Sequence, residues 1–346
     1  MKNLKTILSM IIVGCCAFIP MMSVEAISPA DIGYPGSNVT SENREGTYYL
    51  TLTDDAVQDL IVSDGENVVL DLNGHTLVNY TDAVETIKVN EGGALTIVDN
   101  SAGKTGTVSQ VETSTYGPIT NYGTLIIESG NFTTPLDFYV VRNEGANLTI
   151  NGGNFTTGST TTSLIGNIKY NELSADLPTM TINGGTFEAV QDVIRNNENT
   201  AVTITGGTFT SQSAFALDNL GSATVTGGTF TSVENSAIRH QIDSTNPDFS
   251  SFNITNATLN SAADKGDYAI YDKAVNEDVT DDYNITTDAD GNIVLEELTP
   301  VTDVTEETEE VSNEENPETS DGILLFLGLT VVGFAGTALA YRRLHN

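Results

Sequence analysis

Tryptophan is absent from the 346 residues of the chain, and cysteine occurs only at positions 15 and 16. Sugar-binding modules often stack sugar rings on tryptophan, so tyrosine would have to supply such a surface here. Both cysteines lie in the N-terminal segment, which excludes a disulfide from the rest of the chain. Basic residues are also few: 13 Lys and Arg stand against 47 Asp and Glu, a formal net charge of −34. This balance argues against nucleic acid as a partner, because its phosphates would be repelled.

Residues 1–26 have the features of an export signal, which predicts a secreted protein. Two lysines precede the apolar stretch 7–19, and Ala26 closes a small-residue cleavage site, so we expect cleavage after Ala26. Residues 12–15 also resemble a bacterial lipobox, which would instead lipidate Cys15. The residues after Cys15 stay apolar, which favours ordinary cleavage.

The C-terminal region predicts a membrane anchor. Residues 323–341 form an almost uninterrupted apolar run, close to the about 20 residues that a membrane-spanning helix needs. The basic tail 342–346 follows at once, and positive charge beyond a span marks its cytoplasmic side. Before the span, residues 299–315 carry many acidic residues and no basic ones, so like-charge repulsion predicts an extended, disordered linker.

A pentapeptide stands just before the span: Asn316, Pro317, Glu318, Thr319 and Ser320. Pentapeptide, apolar helix and basic tail together resemble the cell-wall sorting signal of Gram-positive surface proteins, here residues 316–346. The resemblance implies that sortase, a membrane transpeptidase, cleaves after Thr319 and joins the protein covalently to peptidoglycan in the cell wall. The commonest signal begins with Leu and ends with Gly, so Asn316 and Ser320 leave the sortase class open. A plain single-span anchor is the alternative.

The phrase Gly-Gly-x-Phe recurs through the middle of the chain, each copy after an alternating apolar run. The copies lie at 129–132 (degenerate), 152–155, 184–187, 206–209 and 227–230. A repeat of about 22 residues is the length of one turn of a stacked solenoid. Short strands, fixed turn residues and no helical periodicity predict an all-β fold, a parallel β-helix (solenoid) over residues 61–298. Residues 27–60 are predicted to cap its first turn.

Two columns of repeated residues are predicted to stack inside this solenoid. The phenylalanine column is Phe132, Phe155, Phe187, Phe209 and Phe230. The asparagine column is Asn121, Asn143, Asn167, Asn196 and Asn219. Stacked amides can hydrogen-bond to each other along the axis. An up-and-down β-sandwich is the alternative, although its strands would not repeat side-chain identity so faithfully.

The pattern resembles the right-handed parallel β-helix of the pectate-lyase-like group over roughly residues 60–275. The handedness comes from the resemblance alone. Enzymes of that group pair acidic residues, or calcium-binding carboxylates, with a catalytic Arg or Lys on one exposed face. Asp218 between two arginines is the nearest approximation in this chain. We therefore expect no catalytic residue, no metal site and no cofactor.

One outward-facing column carries the residues best suited to a ligand: Arg142, Arg195, Asp218, Arg239 and Tyr271. Opposite charges in neighbouring turns predict a charge ladder, whose role would be structural and worth about 0.2–1 kcal/mol for each pair. The competing interpretation is a strip that binds an acidic or hydroxyl-rich glycan.

Together these features predict a secreted, cell-wall-anchored surface protein that displays its β-helix for adhesion. Its ligand would be a glycan or a host surface protein. Two alternatives stay open: a polysaccharide lyase or glycosidase of the pectate-lyase-like group, and a passive surface-coat protein.

Overall fold

The computed structural model of the protein describes residues 38–80, 82–169, 177–246 and 248–298. These residues are all-β, and their one helical element is a 3-10 turn at Thr280–Asp282. No helix among them has the length and apolarity needed to cross a membrane. The chain divides into two units, Met1–Leu298 and Thr299–Asn346, and only the first contains described residues. The predicted export signal, lipidation site, acidic linker, membrane span and sorting signal lie outside the described residues.

Nearly all strands belong to three sheets. Sheet 1 has the strand order β1 (Val39–Arg44), β2 (Thr47–Leu52), β5 (Asn67–Asp71), β8 (Ala94–Val98), β11 (Thr124–Ile127), β14 (Asn147–Ile150), β17 (Thr179–Ile182), β20 (Ala201–Ile204), β23 (Ser222–Val225) and β26 (Ser251–Ile254). Sheet 2 has the order β4 (Leu60–Val62), β7 (Ile87–Val89), β10 (Ile119–Asn121), β13 (Val141–Glu144), β16 (Ile165–Ile168), β19 (Ile194–Asn196), β22 (Leu217–Asn219), β25 (Ile238–Ile242), β28 (Tyr268–Asp272) and β29 (Glu277–Asp278). Sheet 3 has the order β3 (Ala56–Val57), β6 (Thr76–Val78), β9 (Thr107–Val108), β12 (Asn131–Thr134), β15 (Asn154–Thr157), β18 (Thr186–Ala189), β21 (Thr208–Ser211), β24 (Thr229–Ser232) and β27 (Thr258–Asn260).

The described chain completes nine coils, and each coil adds one strand to sheet 1, then to sheet 3, then to sheet 2. Strands of successive coils pair in parallel, from β2 with β5 at one end to β25 with β28 at the other. This pairing excludes the up-and-down sandwich, whose strands are antiparallel. The described residues therefore form a parallel β-helix-like solenoid.

An antiparallel strand pair covers the edge of one sheet at each end of the solenoid. At the start, β1 pairs antiparallel with β2, which is already part of the first coil. The solenoid thus begins at Thr47, inside the range that the sequence assigned to a cap, because the first coils lack the Gly-Gly-x-Phe phrase that marks later ones. At the other end, β29 pairs antiparallel with β28, and a hairpin of β30 (Tyr283–Thr287) and β31 (Ile293–Glu297) follows. Antiparallel additions of this kind stop further parallel pairing at the edges.

The two glycines of the repeated phrase are required for different structural reasons. In the copy at 184–187, a Cβ on Gly184 would lie 2.8 Å from the backbone oxygen of Asn151 in the preceding coil. Gly185 instead has a φ of +111°, a conformation that L-residues rarely adopt. The first glycine therefore allows close stacking of the coils, and the second makes the bend into the strand of sheet 3.

The five phenylalanines form one continuous stack inside the solenoid. Their ring centroids are separated by 4.7, 4.7, 4.8 and 4.7 Å, and all five rings are buried. These separations equal the spacing between neighbouring strands, because each coil places its ring in the same register. The stack thus ties together five successive coils, starting at β12.

The five asparagines form a hydrogen-bonded ladder that is also fully buried. Nδ2 of each of the first four donates to the Oδ1 of the asparagine in the next coil, at distances of 2.8, 2.8, 2.9 and 2.8 Å. Each Nδ2 donates to backbone carbonyl oxygens as well, as Asn167 does to Ala201 at 3.0 Å. Buried amides need such partners, so the ladder satisfies its donors through contacts between coils.

His240 takes the place of asparagine in the next coil. Its Nδ1 lies 3.2 Å from Nδ2 of Asn219, and since that amide nitrogen is a donor, Nδ1 must be the unprotonated acceptor. Burial lowers the pKa of His240 to about 4. The imidazole is therefore neutral in the folded protein at physiological pH.

Candidate functional site

The predicted ligand column lies on the outer face of sheet 2. Its register in successive coils is Ile61, Lys88, Thr120, Arg142, Gly166, Arg195, Asp218, Arg239 and Ala269. Four of the 13 basic residues in the chain stand in this one column. Lys88 was missed by the sequence reasoning, because Val89 follows it where later coils have asparagine. The column therefore carries four cations and one carboxylate, Asp218, on a protein whose net charge is −34.

Asp218 is the centre of an ion cluster on this face, and its side chain is fully buried. Arg239 binds it through two nitrogens, with Nε 2.9 Å from Oδ1 and Nη2 2.7 Å from Oδ2. Arg195 donates to Oδ2 at 3.1 Å, and Gln241 donates to Oδ1 at 2.8 Å. Both carboxylate oxygens of Asp218 are therefore occupied by residues of the protein. Asp218 positions two guanidinium groups that remain partly exposed.

Tyr271 is two residues out of the predicted register. Ala269 pairs with Arg239, while Tyr271 pairs with Gln241, because Tyr268 and not Ala269 or Ile270 stands opposite Ile238. A shift of two residues keeps a side chain on the same face. The Tyr271 ring accordingly lies 6.0 Å from Cζ of Arg239, and its hydroxyl donates to Oδ1 of Asn276 at 2.7 Å.

Aromatic rings lie between and beside the arginines. Cζ of Arg239 lies 4.6 Å from the centroid of Phe215, within the range of a cation–π contact. Tyr139 lies against Gly166, where a Cβ would come within 2.9 Å of its ring. The ring thus fills the gap between Arg142 and Arg195. Burial raises the pKa of Tyr139, and the two cations reduce this effect without reversing it. Gly166 is therefore what allows an aromatic residue to lie on the sheet here.

Asp192 is a second buried carboxylate beside the cluster, which the sequence reasoning missed. Its Oδ1 accepts a hydrogen bond from the backbone N–H of Phe215 at 3.2 Å. Burial, and then repulsion by Asp218, raise the pKa of Asp192 to about 6, while Arg239 and Arg195 act in the opposite direction. Strongly shifted carboxyl groups often mark functional sites. Asp192 precedes β19 in a connecting segment without periodicity, so no pattern in the sequence singled it out.

Asp192 and His240 both titrate between about pH 4 and 6.5, with opposite effects on stability. A raised pKa, as in Asp192, contributes stability that is complete below its ordinary value near 3.9 and is lost as pH rises through about 6. A lowered histidine pKa contributes stability above its ordinary value of about 6.5, which is lost as pH falls towards 4. The pH dependence of the stability of the natural protein therefore contains both the Asp192 and the His240 contributions.

His240→Asn should separate them. The variant cannot take up the proton, so on going from above pH 7 to about pH 4 it avoids a loss that the natural protein suffers. At 1.36 kcal/mol per pKa unit that loss is at most roughly 3 kcal/mol. Denaturant unfolding of both proteins across this range measures it, with the difference between them as the readout. Parallel pH profiles would contradict a buried neutral imidazole.

A cavity of about 350 Å³ adjoins Arg142 on the same face. Three aromatic residues line it: Tyr116, Phe138 and Tyr139. Its polar lining includes Asp137 and Arg142. Nε of Arg142 forms an ion pair with the buried carboxylate of Glu144, which fixes the guanidinium while 40% of the Arg142 side chain stays exposed. The cavity joins the cation-bearing column to a concave, partly aromatic surface.

No family model, curated protein or solved structure matches the chain.

One group among the described residues has the composition of a metal site, and it lies away from sheet 2. Ligand atoms of Asp54, Asp55 and His75 are all within 4.8 Å of one another. Both carboxylates already accept backbone hydrogen bonds, Asp54 from Asp55 and Asp55 from Thr76, each at 2.8 Å. The three residues are held by the fold itself and lie in the turns leading into β3 and β6.

The outer face of sheet 2 is suited to binding. Partly exposed guanidinium groups can pair with carboxylates or sulfates and donate to hydroxyls, and the adjacent rings can pack against the apolar faces of sugars. The two carboxylates within the cluster are buried and bonded to the protein. Proton transfer to a polymer would need a carboxyl group within hydrogen-bond reach of it.

Proposed function

We propose that the protein is a secreted adhesin that binds glycans through the outer face of sheet 2. Its solenoid is right-handed, like that of the pectate-lyase-like group. Sortase joins Thr319 to peptidoglycan, and the linker 299–315 separates the solenoid from the wall. The sorting signal supports display, since tripartite C-terminal signals of this kind serve cell-wall proteins. Mass spectrometry of protein released from the wall tests the anchor: a C-terminus at Asn346 would rule out sortase processing.

The observation that carries the binding proposal is the distribution of charge. A protein with 47 acidic and 13 basic residues repels anions over most of its surface. Lys88, Arg142, Arg195 and Arg239 share a single column, and aromatic rings lie beside three of them. Among the described residues, the outer face of sheet 2 therefore offers an acidic glycan a column of four cations.

Adhesion is favoured over a lyase or glycosidase because of Asp218. It lies between two arginines, the nearest approximation in this chain to the charged pairs of pectate-lyase-like enzymes, and its side chain is completely buried. Four hydrogen bonds from three residues occupy both of its oxygens. In a passive coat protein this cluster would only stabilise the stacking of the coils, and the two arginines would not need to remain partly exposed.

Replacing Arg195 and Arg239 should weaken binding to anionic polysaccharides at least about tenfold, because each lost charge-assisted contact is worth about 1.5–3 kcal/mol. The substitutions are Arg195→Gln and Arg239→Gln combined with Asp218→Asn, so that Asp218 is not left as a buried charge without a partner. Biolayer interferometry of the full-length protein in detergent on immobilised anionic and neutral polysaccharides measures the effect.

Arg44→Gln is the matched control, since it changes the net charge by the same single unit on β1, in sheet 1. We expect its binding to equal that of the natural protein. Equal loss in both variants would show that net charge, not the column, determines binding. Shortening of any polysaccharide during the assay would replace adhesion with catalysis, and no binding to any polysaccharide would favour the coat role.

A further inference from the structure

The cavity beside Arg142 has the size of a site for one sugar residue. Its volume of about 350 Å³ is at the lower end of the roughly 300–1,000 Å³ typical of small-molecule sites. A polymer bound along its length would need an open groove across several coils. This cavity is lined by residues from few coils, Thr115–Thr120, Asp137–Arg142 and Thr162, so its extent suits the terminal residue of a glycan.

One wall of the cavity is apolar. Tyr116 contributes a ring that is 44% exposed, and Phe138 and Tyr139 contribute two more. Tyr139 is fixed in place by its contact with Gly166 on the sheet below. The three rings favour a ligand with a methyl group or a bare ring face.

The charged lining defines two further groups on the ligand. Arg142 presents a guanidinium held by Glu144, which suits a carboxylate. Asp137 is exposed at the cavity, and a carboxylate accepts hydrogen bonds only, so it requires an N–H or O–H donor. Asp137 would repel a ligand with negative charge throughout, so the anionic group must occupy the Arg142 end alone.

Two threonines add acceptors for sugar hydroxyls. Oγ1 of Thr115 donates to the backbone oxygen of Asp82 at 2.9 Å, and Oγ1 of Thr162 donates to that of Asp137 at 3.0 Å. The proton of each hydroxyl is already donated within the protein, so the oxygen can act only as an acceptor for a donor on the ligand. The polar lining thus combines one cationic donor with several acceptors.

We propose that this cavity binds a terminal sugar residue that carries both a carboxylate and an N-acetyl group. Arg142 receives the carboxylate, the aromatic wall receives the acetyl methyl, and Asp137 accepts from the amide N–H. This inference rests on the proposed function, because it names the chemical class that the glycan-binding face selects. Such sugars occur at the ends of host glycans, and a sugar with the same two groups is a building unit of peptidoglycan.

The test is isothermal titration of the full-length protein with four sugars. N-acetylneuraminic acid and N-acetylmuramic acid carry both groups and represent the two sources. Glucuronic acid carries only the carboxylate, and N-acetylglucosamine only the N-acetyl group. We expect at least one of the first two to bind at least about tenfold more tightly than either of the last two, the equivalent of about 1.4 kcal/mol. Equal affinity for all four would overturn the proposal.

Tyr116→Ala should weaken binding of the preferred sugar at least about tenfold, as expected for an aromatic anchor. Its partial exposure means that the fold should tolerate the change. Tyr49→Ala is the matched control: Tyr49 is 36% exposed and lies on β2, in sheet 1. Arg142→Gln combined with Glu144→Gln tests the anionic end without leaving a buried charge unpaired, and it should abolish the preference over N-acetylglucosamine.

The outcomes separate this inference from the one on which it rests. Polysaccharide binding that depends on Arg195 and Arg239, without binding of any of the four sugars, overturns the cavity proposal and leaves the proposed function standing. Absence of both kinds of binding overturns both. An unchanged affinity in Tyr116→Ala would place the sugar elsewhere and overturn the cavity proposal alone.

Discussion

Phe187→Ala should lower the free energy of unfolding by about 4 kcal/mol. The ring is completely buried, with centroids 4.7 Å from Phe155 and 4.8 Å from Phe209. Truncation removes the ring between two coils that backbone hydrogen bonds hold at a fixed spacing, so the cavity cannot collapse. Each neighbouring ring also loses a stacking partner, worth about 0.5–1.5 kcal/mol beyond the area buried. Equilibrium unfolding in urea, followed by circular dichroism, measures the loss.

Phe132→Ala is the control for the stacking part of this effect. Phe132 is buried to the same degree but stands at the end of the stack, with one ring neighbour in place of two. Its truncation should be milder by about 1 kcal/mol, the worth of one ring pair. Equal losses at the two positions would show that the stack adds nothing beyond burial. A loss below about 1 kcal/mol for Phe187 would contradict a well-packed interior.

Asn167→Ala should destabilise the protein by a similar amount, about 4 kcal/mol. The Asn167 side chain donates to Asn196 at 2.9 Å and to the carbonyl of Ala201 at 3.0 Å, and it accepts from Asn143 at 2.8 Å. Alanine leaves these buried groups short of a partner, at about 1–3 kcal/mol for each group that stays unsatisfied. The buried amide volume is lost as well. The same urea titration measures the change.

Asn183→Ala provides the matched comparison, because Asn183 belongs to a similar ladder on the outside of sheet 1. It donates to Asn151 at 2.8 Å and accepts from Thr205 at 2.8 Å, but it is exposed. Water can replace both bonds, so the change should stay within about 0.5 kcal/mol. If both variants lost the same stability, burial would not be the source of the ladder's strength.

The interior was predictable from the sequence because every coil repeats it. Phe155 and Phe187 occupy the same position after the same glycines, and their pairing in register follows from that repetition. Asn143 and Asn167 are related in the same way. A parallel stack converts a repeat along the chain into a column in space, so a linear pattern was enough.

The candidate site depends on what does not repeat. Tyr139 reaches the sheet because Gly166 in the next coil lacks a side chain, a relation between two irregular positions. Asp192 has a raised pKa because it is buried beside Asp218. The segment between β18 and β19 that contains Asp192 has no periodic sequence. The cavity is lined by the segments around Tyr116 and Phe138, whose conformation no repeat dictates. The site was therefore visible only as isolated charges in a column.

The asparagine ladder has a direction, and that direction explains its two ends. Every Nδ2 donates to the side chain in the next coil towards the C-terminus. The Oδ1 of Asn121 therefore needs a donor from outside the ladder, and the Nδ2 of Asn219 needs an acceptor from outside it. The backbone N–H of Gly123 supplies the first, at 3.1 Å from Oδ1 of Asn121. Nδ1 of His240 is the acceptor for Nδ2 of Asn219, and it donates no hydrogen bond to a further amide. The histidine thus ends the ladder. A proton on Nδ1 would place two donors, this N–H and the Nδ2 of Asn219, opposite each other at the end of the ladder.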